Sequence, residues 1–139
     1  MQVKDMMHKG VTCLSPDTAV RAVAMKMKEL DVGAIPIAKN GQLAGMITDR
    51  DIAIRCVANG KDLSKVTAKD MMTPDVVCCR DTQDVQDAVR IMESKKIRRL
   101  PVLDEARHMV GMVSLGDISH ALSQDTTGEV TKAVSAHHA

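Results

Sequence analysis

The chain has 139 residues, 19 Lys plus Arg against 18 Asp plus Glu, and no Phe, Tyr or Trp. A formal charge of +1 removes the general argument for a nucleic-acid partner, and a chain without aromatic rings has neither a platform for stacking single-stranded bases nor an aromatic membrane belt. With 45% apolar residues it has the material for a core, so one compact domain or two small, mutually dependent repeats is expected rather than disorder.

Residues 1–12 carry no continuous apolar stretch of the signal-peptide kind, and no later run approaches the roughly 18 to 20 apolar residues that span a bilayer. A cytoplasmic protein without a membrane partner is the expectation. Lys4-Asp5-Met6-Met7 recurs as Lys69-Asp70-Met71-Met72, and at the same offset of 65 Val11 matches Val76, Cys13 matches Cys78, Val20 matches Val85, Met27 matches Met92 and Pro36 matches Pro101. One extra residue in a turn of the second copy moves the offset to 66, after which Gly45-Met46 matches Gly111-Met112 and Asp51-Ile52 matches Asp117-Ile118. The chain is a tandem duplication. Repeat one covers residues 3–58 and repeat two residues 68–123, with a polar, Gly-containing linker at 59–67 and a tail at 124–139.

Each copy opens on a short apolar segment, 11–14 or 76–79, that reads as a strand. Val20, Val23, Ala24, Met27 and Leu30 then form one helical stripe, repeated by Val85, Ala88, Val89 and Met92. Asp17 and Thr82 stand just ahead as candidate caps. Two strands follow at 35–38 and 43–48, joined by Asn40-Gly41, a strong hairpin signal. Their counterparts are 100–103 and 109–114, with a longer turn at 104–108. A second helix begins near Asp49 and Leu115. Each repeat is therefore strand, helix, strand, strand, helix, an α/β (α+β) unit. Sixty residues bury a core poorly alone, so the repeats are expected to pack sheet to sheet as one module.

The chemistry concentrates in Gly45-Met46-Ile47-Thr48-Asp49-Arg50-Asp51 and Gly111-Met112-Val113-Ser114-Leu115-Gly116-Asp117. In both, a hydroxyl residue ends a strand and a carboxylate three residues on lies in the first helical turn. Thr48 or Ser114 can donate to a phosphate, while a carboxylate, which only accepts, suits the two hydroxyls of a ribose. Glycine at the strand start lets a ligand or another backbone approach. The competing reading is a plain cap, with Thr48 or Ser114 closing the helix and Asp51 or Asp117 complementing its dipole. Two copies in register favour the ligand.

The Asp-Met-Met openings, the strands Ile35-Pro36-Ile37 and Leu100-Pro101-Val102, and the Gly-x-x-Thr/Ser-x-x-Asp endings resemble a tandem pair of CBS (cystathionine β-synthase) domains, or Bateman module, over about residues 3 to 123. The layout is similar to stand-alone bacterial proteins of the hypoxic response type. The resemblance implies a regulatory module with no catalytic residues, binding AMP, ADP, ATP or S-adenosylmethionine in clefts between its repeats and associating into homodimers. It also implies roles for particular residues. Asp51 and Asp117 would hold ribose hydroxyls, with Thr48 and Ser114 facing ribose or phosphate. Val32, Gly33, Ala34 and Pro36, and Ile97, Arg98, Arg99 and Pro101, would line the sites, with Thr12, Cys13, Val77 and Cys78 near the adenine. Arg50 belongs to copy one alone and Arg98 and Arg99 to copy two, so the sites are expected to differ, Arg98 being a candidate phosphate contact or an exposed charge at a helix end.

Other signals are thinner. His120 near Asp117 lacks the nucleophile elbow or oxyanion-hole pattern of a hydrolase. No Cys and His spacing matches a metal site, although His8 and His137-His138 could scavenge a cation. Cys13 and Cys78, at the same strand position, are expected to be buried packing residues. Val130 and Val134 suggest a short helix in the tail. Two rival functions stay open: an interaction protein with empty clefts acting through a partner surface, and a thiol redox sensor using Cys78 and Cys79. No cofactor, metal or nucleic acid is expected, and the downstream protein partner is unnamed by the sequence.

Overall fold

The structure, a computed structural model, describes residues 1–121, and the readings made for the tail lie outside them. After a 3-10 turn at Val3–Asp5, the elements in chain order are α1 (Val20–Leu30), β1 (Ala34–Lys39), β2 (Gln42–Thr48), α2 (Asp49–Asp51) continued by a π-helical segment Ile52–Val57, α3 (Ala68–Met71), β3 (Cys79–Arg80), α4 (Val85–Lys95), β4 (Arg99–Leu103), β5 (Met109–Ser114) and α5 (Leu115–Ala121).

The apolar stripes bury as their spacing demands: Val20, Val23 and Met27 in α1, and Val85, Ala88, Val89 and Met92 in α4. The caps differ from expectation. Ala19, with no side-chain bond to offer, is the N-cap of α1, and Asp84 is that of α4, accepting from the Gln86 N–H at 2.9 Å. Asp17 and Thr82 cap neither helix, because the first amides find backbone acceptors on other segments. Val20 N–H donates to the Val66 carbonyl and Arg21 N–H to that of Leu63, while Val85 N–H donates to the carbonyl of Met1.

The hairpins form as read. Asn40 and Gly41 take positive φ (54° and 79°), the pair of left-handed residues that a tight two-residue turn requires. The longer turn is closed by the Asp104 N–H on the His108 carbonyl and the His108 N–H on the Asp104 carboxylate. The opening strands are shorter than expected. Leu14 makes a single parallel bridge to Ile37, and β3 holds only Cys79 and Arg80, parallel to Val102 and Leu103. Pro16 brings no N–H to a ladder, a turn at Ser15–Thr18 diverts the first copy, and the Gln83 N–H on the Arg80 carbonyl ends the second.

The chain divides into two compact units, residues 12–76 and residues 1–11 with the chain from 77 onward. Each sequence repeat thus sends its Asp-Met-Met opening into the unit of the other. Val3 is fully buried with Val85, Met92, Leu100, Val113 and Ile118, and its repeat-mate Ala68 is fully buried with Val20, Ile37 and Ile47. His8 and Met112 exchange two backbone hydrogen bonds (2.8 and 3.0 Å), as do Thr73 and Met46 (2.8 and 3.0 Å). Here the paired glycines find their purpose. A Cβ on Gly111 would stand 2.7 Å from the His8 carbonyl oxygen, and one on Gly45 would stand 2.8 Å from that of Thr73. The acid of the opening closes its own turn. Asp5 accepts the Gln2 N–H and Asp70 the Thr67 N–H, and the backbone bond, then the Thr67 hydroxyl, hold the Asp70 carboxyl below its usual 3.8.

Candidate functional site

Antiparallel pairing sets Ala34 opposite Thr48 in one unit and Arg99 opposite Ser114 in the other. The Asp49 N–H donates to the Gly33 carbonyl at 2.9 Å, and the Leu115 N–H to the Arg98 carbonyl at 2.8 Å. The residues ahead of each Pro strand are therefore fixed beside the hydroxyl-carboxylate motif of the same repeat.

Within the motif the bonding is reciprocal. The Thr48 N–H donates to Asp51 Oδ2 (2.9 Å) and the Asp51 N–H to Thr48 Oγ1 (3.1 Å). The second copy repeats it, with the Ser114 N–H on Asp117 Oδ2 (2.8 Å) and the Asp117 N–H on Ser114 Oγ (3.1 Å). The cap reading and the ligand reading thus share the same two residues. A capping box fixes each carboxylate through one oxygen, and both side chains are mostly buried, 15% and 12% exposed. The other oxygen, Oδ1, faces a displaceable partner in each unit. For Asp51 this is Arg55 Nε at 3.8 Å, one helical turn on. For Asp117 it is His8 Nε2 at 2.8 Å, on a side chain 75% exposed. Such a carboxylate is an acceptor of fixed aim with capacity for hydroxyl donors.

Sequence reasoning did not single out Arg55 or His8 for these sites. Arg55 was readable as an i,i+4 partner of Asp51; its Nη1 also donates to the Met71 carbonyl at 3.3 Å. Nothing local in the sequence places His8 on Asp117. Of the expected site residues, Arg50, Arg98 and Arg99 are exposed at their motifs, and Thr12 and Val77 are exposed ahead of the opening strands. Pro36 and Pro101 are buried within β1 and β4, and the Pro36 carbonyl accepts the Leu14 N–H. Val32 and Ile97 pack partly against their units' cores.

The cysteines require a correction. Cys13 and Cys78 are only half-buried, whereas Cys56 and Cys79 are fully enclosed. Successive strand side chains point to opposite faces, so of the adjacent pair Cys79 takes the core side. Burial, with a smaller contribution from Cys78, pushes the Cys79 thiol up to about 12 from 9.0, and burial also raises Cys13. Burial disfavours the thiolate, and the thiolate is the reactive form. Cys79 is therefore expected to resist a maleimide until the chain is denatured, followed by mass spectrometry of labelled peptides; prompt native labelling at Cys79 would contradict the packing. Among the described residues no group of three or more His, Cys, Asp or Glu is placed to hold a metal ion, and no helix is long and apolar enough to cross a membrane.

Duplicated hairpins, each ending in a hydroxyl-carboxylate capping box, define a pair of CBS repeats, and the CBS domain family matches residues 3–57 and 68–124. The chain belongs to the CBS domain family. It is 37% identical over 134 residues to the CBS domain-containing protein YhcV of Bacillus subtilis, covering 96% of this chain and 94% of that one. It is 35% identical over 132 residues to hypoxic response protein 1 of Mycobacterium tuberculosis, covering 94% and 92%. Among solved structures, Hypoxic Response Protein I with two coordinated zinc ions matches at a TM-score of 0.80 and 35% identity, over 88% of this chain and 100% of that one. The CBS domain pair of protein MJ0100, in complex with 5′-methylthioadenosine and S-adenosyl-L-methionine, matches at 0.74 and 28% identity, over 86% and 94%.

Proposed function

We propose that this CBS pair is a non-catalytic regulatory module that binds adenosine nucleotides, with Asp51 and Asp117 accepting ribose hydroxyls. The observation that carries the reading is the pair of pinned carboxylates, each held by a reciprocal bond to Thr48 or Ser114 and each with its second oxygen on a displaceable side chain. The MJ0100 pair, a relative in fold at 28% identity, is known with two adenosine-containing ligands, which supports the same ligand class here. Arg98 and Arg99 on the second repeat, and Arg50 on the first, are exposed beside the motifs and supply cations for phosphate. A homodimer in the cytoplasm, acting on a downstream protein, completes the proposal. Met25, Ile54 and Val57 are 63%, 54% and 58% exposed and give the first unit apolar surface for such a contact. Ile91 on α4 packs partly on its own core.

The test is calorimetric titration with adenosine, AMP, ADP, ATP and S-adenosylmethionine. Asp51→Asn and Asp117→Asn are each expected to weaken one site by about ten- to a hundredfold, the value of charge-assisted bonds to two hydroxyls. Because Asn keeps an oxygen for the capping box, the fold should lose no more than about 1 kcal/mol. Arg98→Ala should weaken ligands increasingly as phosphates are added and leave adenosine nearly unchanged. Folded, ligand-free protein that binds none of the five at millimolar concentration would end this reading.

A further inference from the structure

The two motifs match in backbone and in the capping box, yet their outward oxygens are held differently. Asp51 Oδ1 is 3.8 Å from Arg55, on the same helical segment and anchored as well on the Met71 carbonyl. Asp117 Oδ1 is 2.8 Å from His8, which belongs to the opening of the other repeat. The two arrangements do not interchange: the counterpart of His8 is Thr73, and that of Arg55 is Ala121. Arg55 is close but not within hydrogen-bond distance of its carboxylate, whereas His8 is at the distance of a full hydrogen bond.

We infer that His8 is an intrachain competitor for the ligand carboxylate of the second repeat. This rests on the nucleotide reading above. The backbone of His8 is fixed by its two bonds to Met112, so the imidazole is held near Asp117 while its mostly exposed ring remains free to rotate away. A hydroxyl pair arriving at Asp117 must displace the imidazole from Oδ1, and the apparent affinity falls by the strength of the His8–Asp117 bond. Among the described residues no such side chain from another segment stands on Asp51, so the two sites differ in affinity through the opening segment as well as through their arginines. Anything that draws residues 1–10 from β5 takes the competitor with it and opens the site.

AMP serves as the probe, titrated into the full chain and into His8→Ala, each with and without Asp117→Asn. Removal of a polar side-chain contact with one exposed end corresponds to about two- to fivefold. His8→Ala is expected to tighten the Asp117-dependent binding by that factor and to change nothing once Asp117 is Asn. NMR of the His8 ring in the wild type should show its resonances moving in step with occupancy of that site. Asp117-dependent binding that is unchanged or weakened in His8→Ala overturns the competitor and leaves the nucleotide reading standing, weakened binding marking His8 as a ligand contact. Failure of AMP to bind both proteins brings down the two together.

Discussion

Val3→Asp is expected to cost at least about 3 kcal/mol of stability, and to cost it in the second repeat. Val3 is completely enclosed among Val85, Met92, Leu100, Val113 and Ile118. Removing a buried valine forfeits roughly 1.5–3 kcal/mol of burial, and a carboxylate placed there without a partner adds several more until it protonates or the segment leaves. The segment also satisfies backbone elsewhere, through the Val3 N–H on the Gln83 carbonyl and the Val85 N–H on that of Met1. Urea denaturation gives the total, and hydrogen exchange locates it, with protection expected to fall first in Val85–Lys95 and Arg99–Leu103. Ala68→Asp is expected to act in the mirror sense on Val20–Leu30 and Ala34–Lys39, since Ala68 is buried with Val20 and Ile37. Lys4→Gln, beside Val3 but exposed, should change stability by less than about 0.5 kcal/mol. Loss of protection confined to each mutation's own sequence repeat would refute the exchange of openings.

What was legible in the sequence was local. The i, i+3, i+4, i+7 spacing of Val20, Val23, Ala24 and Met27 fixes a helix face through three or four residues at a time, and Asn40-Gly41 specifies its turn through two backbone angles. The duplicated Thr/Ser-x-x-Asp motif was legible for the same reason, because a capping box is made of residues three apart. Features supplied by a distant segment were not. The amides of Val20 and Val85 are satisfied by Val66 and Met1, and Asp84 takes the Gln86 N–H, so Asp17 and Thr82, sound candidates on composition, cap neither helix. Which of Cys78 and Cys79 faces inward depends on the register of β3 against β4, and adjacent identical residues carry no signal for it. The imidazole on Asp117 depends on an exchange between repeats that two openings sharing Lys-Asp-Met-Met cannot announce, since that motif could serve either unit on local grounds alone.

Gly111→Ala tests the exchange and the site together. The added Cβ would stand 2.7 Å from the His8 carbonyl oxygen and 2.7 Å from Met7 Sδ. The methionine can swing aside, but the carbonyl belongs to backbone that pairs with Met112, so the opening segment must lift from β5. Overpacking of this kind costs about 1–3 kcal/mol, and weakening the paired bonds adds roughly 1 kcal/mol. Gly45→Ala meets the equivalent obstacle, 2.8 Å from the Thr73 carbonyl oxygen and 2.6 Å from Met72 Sδ, and should reduce stability by a similar amount. The two part company at the carboxylates. Lifting residues 7–9 withdraws His8 from Asp117, whereas lifting residues 72–74 moves Thr73 and loosens only the Arg55 bond to the Met72 carbonyl, leaving Arg55 beside Asp51 on its own helical segment. In AMP titrations of the folded variants, Gly111→Ala is therefore expected to tighten the Asp117-dependent site and to lose that gain when combined with His8→Ala. Gly45→Ala should destabilise without tightening either site. Equal effects of the two glycines on AMP would show that strand distortion, and not the histidine, sets the affinity.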